Sequence, residues 1–169
     1  GAAAKAEVLL AEARKTEIIV EEKPTQRDVS GEEPRVGVFV CHCGLNIAGV
    51  IKVPEVVEHA RKLVNVVFST NTIYACSQDN QGDIKKAIKE HNLNRVVLAA
   101  CTPRNLEPLF KNTCEEAGLN PYLFEMTNIR EHSSWVHSNE PEKATEKAKD
   151  LVKMGIAKAR LLTPEERGK

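Results

Sequence analysis

The sequence lacks several patterns that mark common classes of protein. None of its five cysteines belongs to a Cys-x-x-Cys pair, the pairing typical of structural zinc sites. Its apolar runs are far too short to cross a membrane, so we expect no membrane span. The net charge is zero and there is no basic patch, which argues against a nucleic-acid partner. A secreted disulfide scaffold would be shorter and richer in cysteine than these 169 residues, so a cytoplasmic location is expected.

Motifs that bind nucleotides or ferredoxin-type clusters are missing as well. No Gly-x-Gly-x-x-Gly follows a predicted strand, and no Gly-x-x-x-x-Gly-Lys-Ser/Thr phosphate loop occurs. The cysteine spacings match neither the bacterial nor the plant-type ferredoxin run. If the cysteines bind a cluster, the fold must gather them, because no local motif does.

Residues 35–169 show a regular alternation of strand and helix patterns. Apolar runs predict strands over 35–40, 66–75, 95–100 and 122–128. Apolar residues at helical spacing predict helices over about 54–63, 80–91, 106–117 and 141–162. Such units imply parallel strands joined by right-handed crossovers. We therefore predict an α/β fold, a Rossmann-like three-layer domain with a mostly parallel sheet of four or more strands.

The first 34 residues have a different character. Residues 1–14 favour a helix, and Thr16–Val20 is a candidate short strand. The stretch Glu21–Pro34 contains two prolines and one apolar side chain, Val29, which predicts a disordered linker. We expect residues 1–34 to form an N-terminal tail and linker that pack loosely or independently of the domain, and the chain to be a piece of a longer protein.

Four cysteines come at the ends of predicted strands. Cys41 and Cys43 follow the first strand, Cys76 the second and Cys101 the third. The carboxyl ends of parallel strands share one edge of a sheet, where ligands bind, so these thiols should meet there. Converging thiolates bind a metal or an iron–sulfur cluster, or they exchange electrons as a disulfide. Simple core packing of all four would require a coincidence of placement.

The other candidate residues have simpler explanations. Cys114 falls on the apolar stripe of a predicted helix, so we expect it to pack in the core. His42 lies between two cysteines of a segment expected to be extended, where its side chain points away from theirs. Arg104 and Arg130 could bind an anion or simply pair with Glu107 or Glu131, but because they lie at the same edge as the thiols we favour a role in supporting the thiols from outside. Trp135, the only tryptophan, is expected to be a packing anchor.

Four stretches carry a resemblance to a known family. They are Val-Cys-His-Cys-Gly-Leu-Asn-Ile-Ala-Gly at 40–49, Ala-Ala-Cys-Thr-Pro-Arg at 99–104, Gly-Leu-Asn-Pro-Tyr-Leu-Phe-Glu-Met-Thr-Asn-Ile-Arg-Glu at 118–131, and Ser-Trp-Val-His at 134–137. Over about residues 35–162 the chain resembles the N-terminal domain of the A subunit of heterodisulfide reductase. Members of this family are iron–sulfur flavoproteins of electron-transfer complexes, including flavin-based electron bifurcation, in methanogens and related anaerobes.

The resemblance implies a cofactor, partners and a role. The cofactor is a [4Fe-4S] cluster, and the family-matched cysteines are Cys41, Cys43, Cys76 and Cys101. A flavin domain with FAD is expected beyond Lys169, together with other subunits of a heterodisulfide reductase-type complex. The isolated domain would transfer electrons as a fragment of an oxidoreductase, without turnover of its own. The family usually has a cysteine where this chain has Ser133, which makes Ser133 a further cluster-binding position.

Other functions remain open from the residues alone. In a thiol–disulfide redox domain, Cys41 or Cys43 would pair with Cys76 or Cys101. In a docking module without cofactor, the cysteines would have no chemical role. Zinc is a weaker alternative, with potential histidine ligands at 42, 132 and 137 but no short-spaced cysteine pair.

Overall fold

The structure is a computed structural model that describes residues 1–14, 16 and 23–166. An N-terminal helix, α1, covers Ala2–Leu9 and is shorter than the sequence predicts. The candidate strand at Thr16–Val20 lies outside the described residues except for Thr16, which is in a turn. Among the described residues, no helix is long and apolar enough to span a membrane.

The predicted strands and helices of the domain are all present, within a few residues of their expected bounds. In chain order they are β1 Val36–Cys41, α2 Leu45–Ala48, α3 Val53–Arg61, β2 Val66–Thr72, α4 Gln78–Glu90, β3 Arg95–Ala100, α5 Pro103–Glu116, β4 Phe124–Asn128 and α6 Pro141–Ala159. Three short elements were not predicted: α2, a 3₁₀ turn at Pro121–Leu123 and a π-helical turn at Arg130–Ser134.

The four strands form one parallel sheet in the order β2-β1-β3-β4. The chain moves from β1 to one side for β2 and then crosses to the other side for β3 and β4. The direction of winding therefore reverses between β1 and β3. In open α/β sheets, ligands bind beyond the carboxyl ends of the strands at such a switch point. This topology confirms the predicted α/β class with a parallel sheet.

Helices cover both faces of the sheet, which explains why β1 and β3 are apolar along their whole length. One core lies between the sheet and α3 with α6, and it takes alternate side chains of β1, namely Val36, Val38 and Val40. The other core lies on the α4 and α5 side and takes Phe39 and Cys41 from the same strand. The alternation of side chains along β1 thus directs Cys41 toward the α4 and α5 layer.

Residues 23–34, here called the strap, contain no helix or strand but lie against the domain. Val29 is only 3% exposed and belongs to the core on the α4 and α5 side. The Arg27 backbone N–H donates to the Gly118 carbonyl over 2.8 Å, and Asn94 Nδ2 donates to the Glu33 carbonyl over 2.9 Å. One apolar side chain and a few hydrogen bonds thus connect this segment to the domain. The division at residue 35 into a tail with a disordered linker and a domain stays a prediction.

Candidate cysteine site at the carboxyl edge of the sheet

Two cysteines lie inside the switch point between β1 and β3. Cys41 is the last residue of β1, and Cys101 directly follows β3, the neighbouring strand. They are 5% and 8% exposed, respectively. Cys43 is half-buried, and Cys76, in the turn after β2, is exposed. The four thiols therefore lie along the carboxyl edge and range from buried at its centre to solvent-accessible at its side.

The chain turns sharply at Cys43, so the segment is not extended as its sequence predicts. Cys43 has a φ of 47° and Gly44 a φ of 55°, the left-handed region that non-glycine residues seldom adopt. The turn brings the Cys43 backbone N–H within 3.3 Å of Cys41 Sγ. His42 nevertheless points away from the thiols, as predicted, since its Nε2 lies 3.0 Å from Asn71 Oδ1 on β2.

Main-chain donors surround the buried Cys41 thiol. Besides Cys43, the Ala75 N–H donates to Cys41 Sγ over 3.5 Å. Burial raises the pKa of Cys41, and the neighbouring charges of Cys43 and Cys76 raise it further, while the two N–H groups oppose the shift. Burial also raises the pKa of Cys101. Buried thiols of this kind stay protonated until a metal or another positive centre compensates the charge of the thiolate.

Two of the thiols precede helix N-termini. Cys76 comes before Ser77, whose side chain caps α4 by accepting from the Asn80 N–H. Cys101 comes before Thr102, which caps α5 by accepting from the Arg104 N–H over 3.4 Å. The positive ends of both helix dipoles therefore lie near these sulfurs and favour negative charge there.

The π-helical turn after β4 supplies a cation to the site. Arg130 begins this turn, and its Nη1 lies 3.3 Å from Cys43 Sγ. Its Nη2 donates to Glu131 Oε1 over 2.8 Å. Its guanidinium carbon lies 4.8 Å from the centroid of the Trp135 ring. Turns of the π type often occur at functional sites. From the sequence, Arg130 is a candidate only through its position at this edge, since the turn that directs it is a tertiary feature.

The other predicted residues differ in their surroundings. Arg104 lies at the start of α5 and is exposed. Ser133 is fully buried, and its hydroxyl donates to the Ala144 carbonyl of α6 over 2.7 Å. Trp135 covers Arg130 but is 51% exposed, so it is not the buried anchor expected. Cys114 is 1% exposed in the core, as predicted, and burial raises its pKa to about 12.

The chemistry of the donor set fits an iron–sulfur cluster. Free thiols, main-chain N–H groups, helix N-termini and a guanidinium together suit anionic sulfur bound to iron. Within the described parts of the chain, however, no group of three or more His, Cys, Asp or Glu side chains is arranged to hold a metal ion. Cys43 nevertheless acts electrostatically on both Cys41 and Cys101, and Cys76 acts on Cys41, so the thiols are neighbours that would have to draw closer together to hold a cluster.

Comparison with known proteins decides the relationship. No protein-family model matches the chain. It is 62% identical over 131 residues to the second iron–sulfur A subunit of CoB–CoM heterodisulfide reductase from Methanopyrus kandleri, a match that covers 78% of the chain and 20% of that relative. The chain is a homologue of part of the A subunit of heterodisulfide reductase. The resemblance carried by the sequence motifs is thereby confirmed.

Two further relatives from heterodisulfide reductases point the same way. The A subunit of the H₂:CoB–CoM heterodisulfide, ferredoxin reductase of Methanothermobacter marburgensis is 59% identical over 138 residues, which cover 82% of this chain and 21% of the relative. The A subunit of the ferredoxin/F420H₂-dependent CoB–CoM heterodisulfide reductase of Methanosarcina acetivorans is 54% identical over 128 residues, which cover 76% and 16%. The chain thus spans about a fifth of the length of the oxidoreductase subunits it matches.

Proposed function

We propose that this domain holds a [4Fe-4S] cluster through Cys41, Cys43, Cys76 and Cys101 and passes single electrons to and from other redox centres. The observation that carries the proposal is the burial of Cys41 at the end of β1 and of Cys101 directly after the neighbouring strand β3, at the switch point of the sheet. One relative is also named an iron–sulfur subunit. Four thiolates are the usual ligand set of such a cluster.

The residues of the chain would contribute rigidity, hydrogen bonds and charge. A bound cluster supplies one-electron redox chemistry. The adjacent strands β1 and β3 fix Cys41 and Cys101, and the N–H groups of Cys43 and Ala75 donate to sulfur at Cys41. Hydrogen bonds to sulfur and low solvent exposure are the main means by which a protein tunes such a centre.

The wider role follows from the relatives. We propose that the chain works in a heterodisulfide reductase-type complex that reduces the CoB–CoM heterodisulfide by flavin-based electron bifurcation in the cytoplasm. FAD would lie in an adjacent domain of the same protein, and the other subunits of the complex would be its partners. The names of the relatives support the heterodisulfide and the complex.

Anaerobic reconstitution with iron and sulfide tests the cluster. We expect broad absorbance near ~400 nm that disappears with an iron chelator, as for thiolate-bound iron. Alkylation of the reconstituted chain should leave the site cysteines unlabelled, and removal of iron should make them reactive. A colourless chain whose site cysteines stay reactive throughout would contradict the proposal.

A thiol–disulfide redox domain is the second candidate. All five cysteines are free thiols, so two of them could form a reversible disulfide. Cys43 and Cys76 are both accessible to solvent, as exchange requires. Titration with a dithiol–disulfide buffer distinguishes the two functions. Reversible loss of two thiols at one defined potential, in a chain that binds no iron, would favour this candidate.

A further inference from the structure

Arg130 is held on three sides at the carboxyl edge of the sheet. Its Nη1 contacts Cys43 Sγ at 3.3 Å, its Nη2 pairs with Glu131 Oε1 at 2.8 Å, and the ring of Trp135 lies 4.8 Å from its guanidinium carbon. Its side chain is only 21% exposed. Among the described residues, its buried Nε has no hydrogen-bond partner. The guanidinium is thus fixed against sulfur even though one of its donors is left unpaired.

The two ends of the guanidinium have different partners. Glu131 and Trp135 hold Nη2 and the planar face, while Nη1 is the atom directed at Cys43. A neutral thiol is a weak acceptor, whereas a hydrogen bond from a cation to anionic sulfur is charge-assisted and strong. The arrangement therefore matches a Cys43 that carries negative charge when the site is loaded.

Reduction of a thiolate-bound iron–sulfur site adds one negative charge. A fixed positive charge stabilises the more negative state more strongly, and the effect falls with distance. Arg130 Nη1 contacts the Cys43 sulfur itself, while the Glu131 carboxylate is bonded at the other end of the guanidinium. The positive charge is therefore the nearer of the two to the sulfur, and Glu131 opposes it in part.

We propose that Arg130 sets the reduction potential of the site, with Trp135 and Glu131 holding its guanidinium against Cys43. This inference rests on the proposed function. Arg130 raises the potential by stabilising the reduced state, and Glu131 lowers it. Arg130 is a positioning and charge-compensating residue, since it acts through the sulfur of Cys43.

A redox titration followed by EPR tests the role, on the whole chain after anaerobic reconstitution. Arg130→Gln should shift the midpoint to a more negative potential, and Arg130→Lys should restore part of the shift. Glu131→Gln should shift it in the opposite, positive direction. The matched control is Arg160→Gln, which removes the same charge from the exposed end of α6 and should leave the midpoint unchanged.

The outcomes separate this inference from the proposed function. If the wild-type chain binds no iron, the proposed function fails and the inference fails with it. If the wild type binds iron and Arg130→Gln has the same midpoint as Arg160→Gln, only the inference is overturned. If Arg130→Gln assembles no cluster, Glu131→Gln decides alone, since a midpoint that fails to rise in that variant overturns the inference.

Discussion

The two edges of the sheet differ in the groups that they gather. The carboxyl edge carries four free thiols, the turn at Cys43 and Gly44, and a π-helical turn at Arg130–Ser134. At the amino edge, side chains close the structure by bonding to the main chain, and the strap is attached there. The amino edge thus joins the strap to the domain, whereas the carboxyl edge is where the proposed ligand would bind.

Asn94 illustrates the amino edge. It is fully buried, its Oδ1 accepts from the Arg35 N–H over 2.6 Å, and its Nδ2 donates to Glu32 Oε2 and to the Glu33 carbonyl over 3.0 and 2.9 Å. The side-chain amide is therefore satisfied on both sides by the strap and its junction with β1. Fully satisfied buried amides of this kind specify a single arrangement.

Arg130 and Glu131 illustrate the carboxyl edge. Within the described residues, Arg130 Nε and Glu131 Oε2 are buried without a hydrogen-bond partner. An unpaired buried polar atom costs free energy, about 1–3 kcal/mol in typical cases. At the amino edge, Arg95 Nε is likewise buried without a partner among the described residues, so what sets Arg130 and Glu131 apart is their position beside the thiols.

The largest effect is expected from removing a buried thiol at the carboxyl edge. Cys41→Ser and Cys101→Ser should each lose most of the iron bound after anaerobic reconstitution, because iron–sulfur sites select thiolate over hydroxyl. Iron analysis per chain measures the loss, with Cys114→Ala as the control that keeps its iron. Equal iron in all three variants would contradict a specific role of the carboxyl-edge thiols in binding iron.

At the amino edge, Asn94→Ala should lower the free energy of unfolding by about 2–4 kcal/mol, because it leaves buried partners unsatisfied. Urea denaturation of the iron-free chain measures the change. The exposed Asn139→Ala is the control and should stay within about 0.5 kcal/mol of wild type. Iron binding should be the same in both variants. A loss of iron in Asn94→Ala alone would show that iron binding at the carboxyl edge depends on the amino edge.

Cys114 in the core should affect stability alone, by about 1–2 kcal/mol for Cys114→Ala. Its pKa rises from 9.0 to about 12 on burial, so the folded state holds the proton that the unfolded state loses. The stability this contributes is present below pH 9 and is lost as the pH rises from 9 toward 12. Denaturation at several pH values should therefore show the advantage of wild type over Cys114→Ala shrinking above about pH 9. A constant difference up to about pH 11 would contradict the burial of this thiol.

The smallest effect concerns a single amide of the strap. The Arg27 N–H donates to the Gly118 carbonyl, so its hydrogen exchange should be slow, whereas the amide of Thr25, an exposed residue of the same strap, should exchange quickly. Exchange followed by NMR measures both. Fast exchange at Arg27 would instead support the disordered linker that composition predicts.

The parallel sheet and the strand ends could be predicted because they depend on local patterns. Continuous apolar runs predicted buried strands, and the crossover rules then brought Cys41 and Cys101 to one edge. The burial of Cys114 followed from helical spacing. These features need no knowledge of how distant segments meet.

The details of the site could not be predicted, because they depend on tertiary contacts. The left-handed turn at Cys43 is rare for a cysteine, and the π-helical turn that directs Arg130 has no sequence signature. The strap was predicted to be disordered because composition counts apolar side chains and does not show that Val29 reaches the core. The bond from the Ser133 hydroxyl to the Ala144 carbonyl of α6 is another tertiary contact, and the position of Ser133 near a cluster stays a prediction.

The most direct test of the central claim is the iron and acid-labile sulfide content of the anaerobically reconstituted chain, with EPR of the reduced form. A [4Fe-4S] cluster at the carboxyl edge predicts about four iron and four sulfide per chain and an EPR signal from one reduced cluster. The same chain with Cys41→Ser and Cys101→Ser combined should hold almost none. Negligible iron in the wild type, or equal iron in the double variant, would contradict the account.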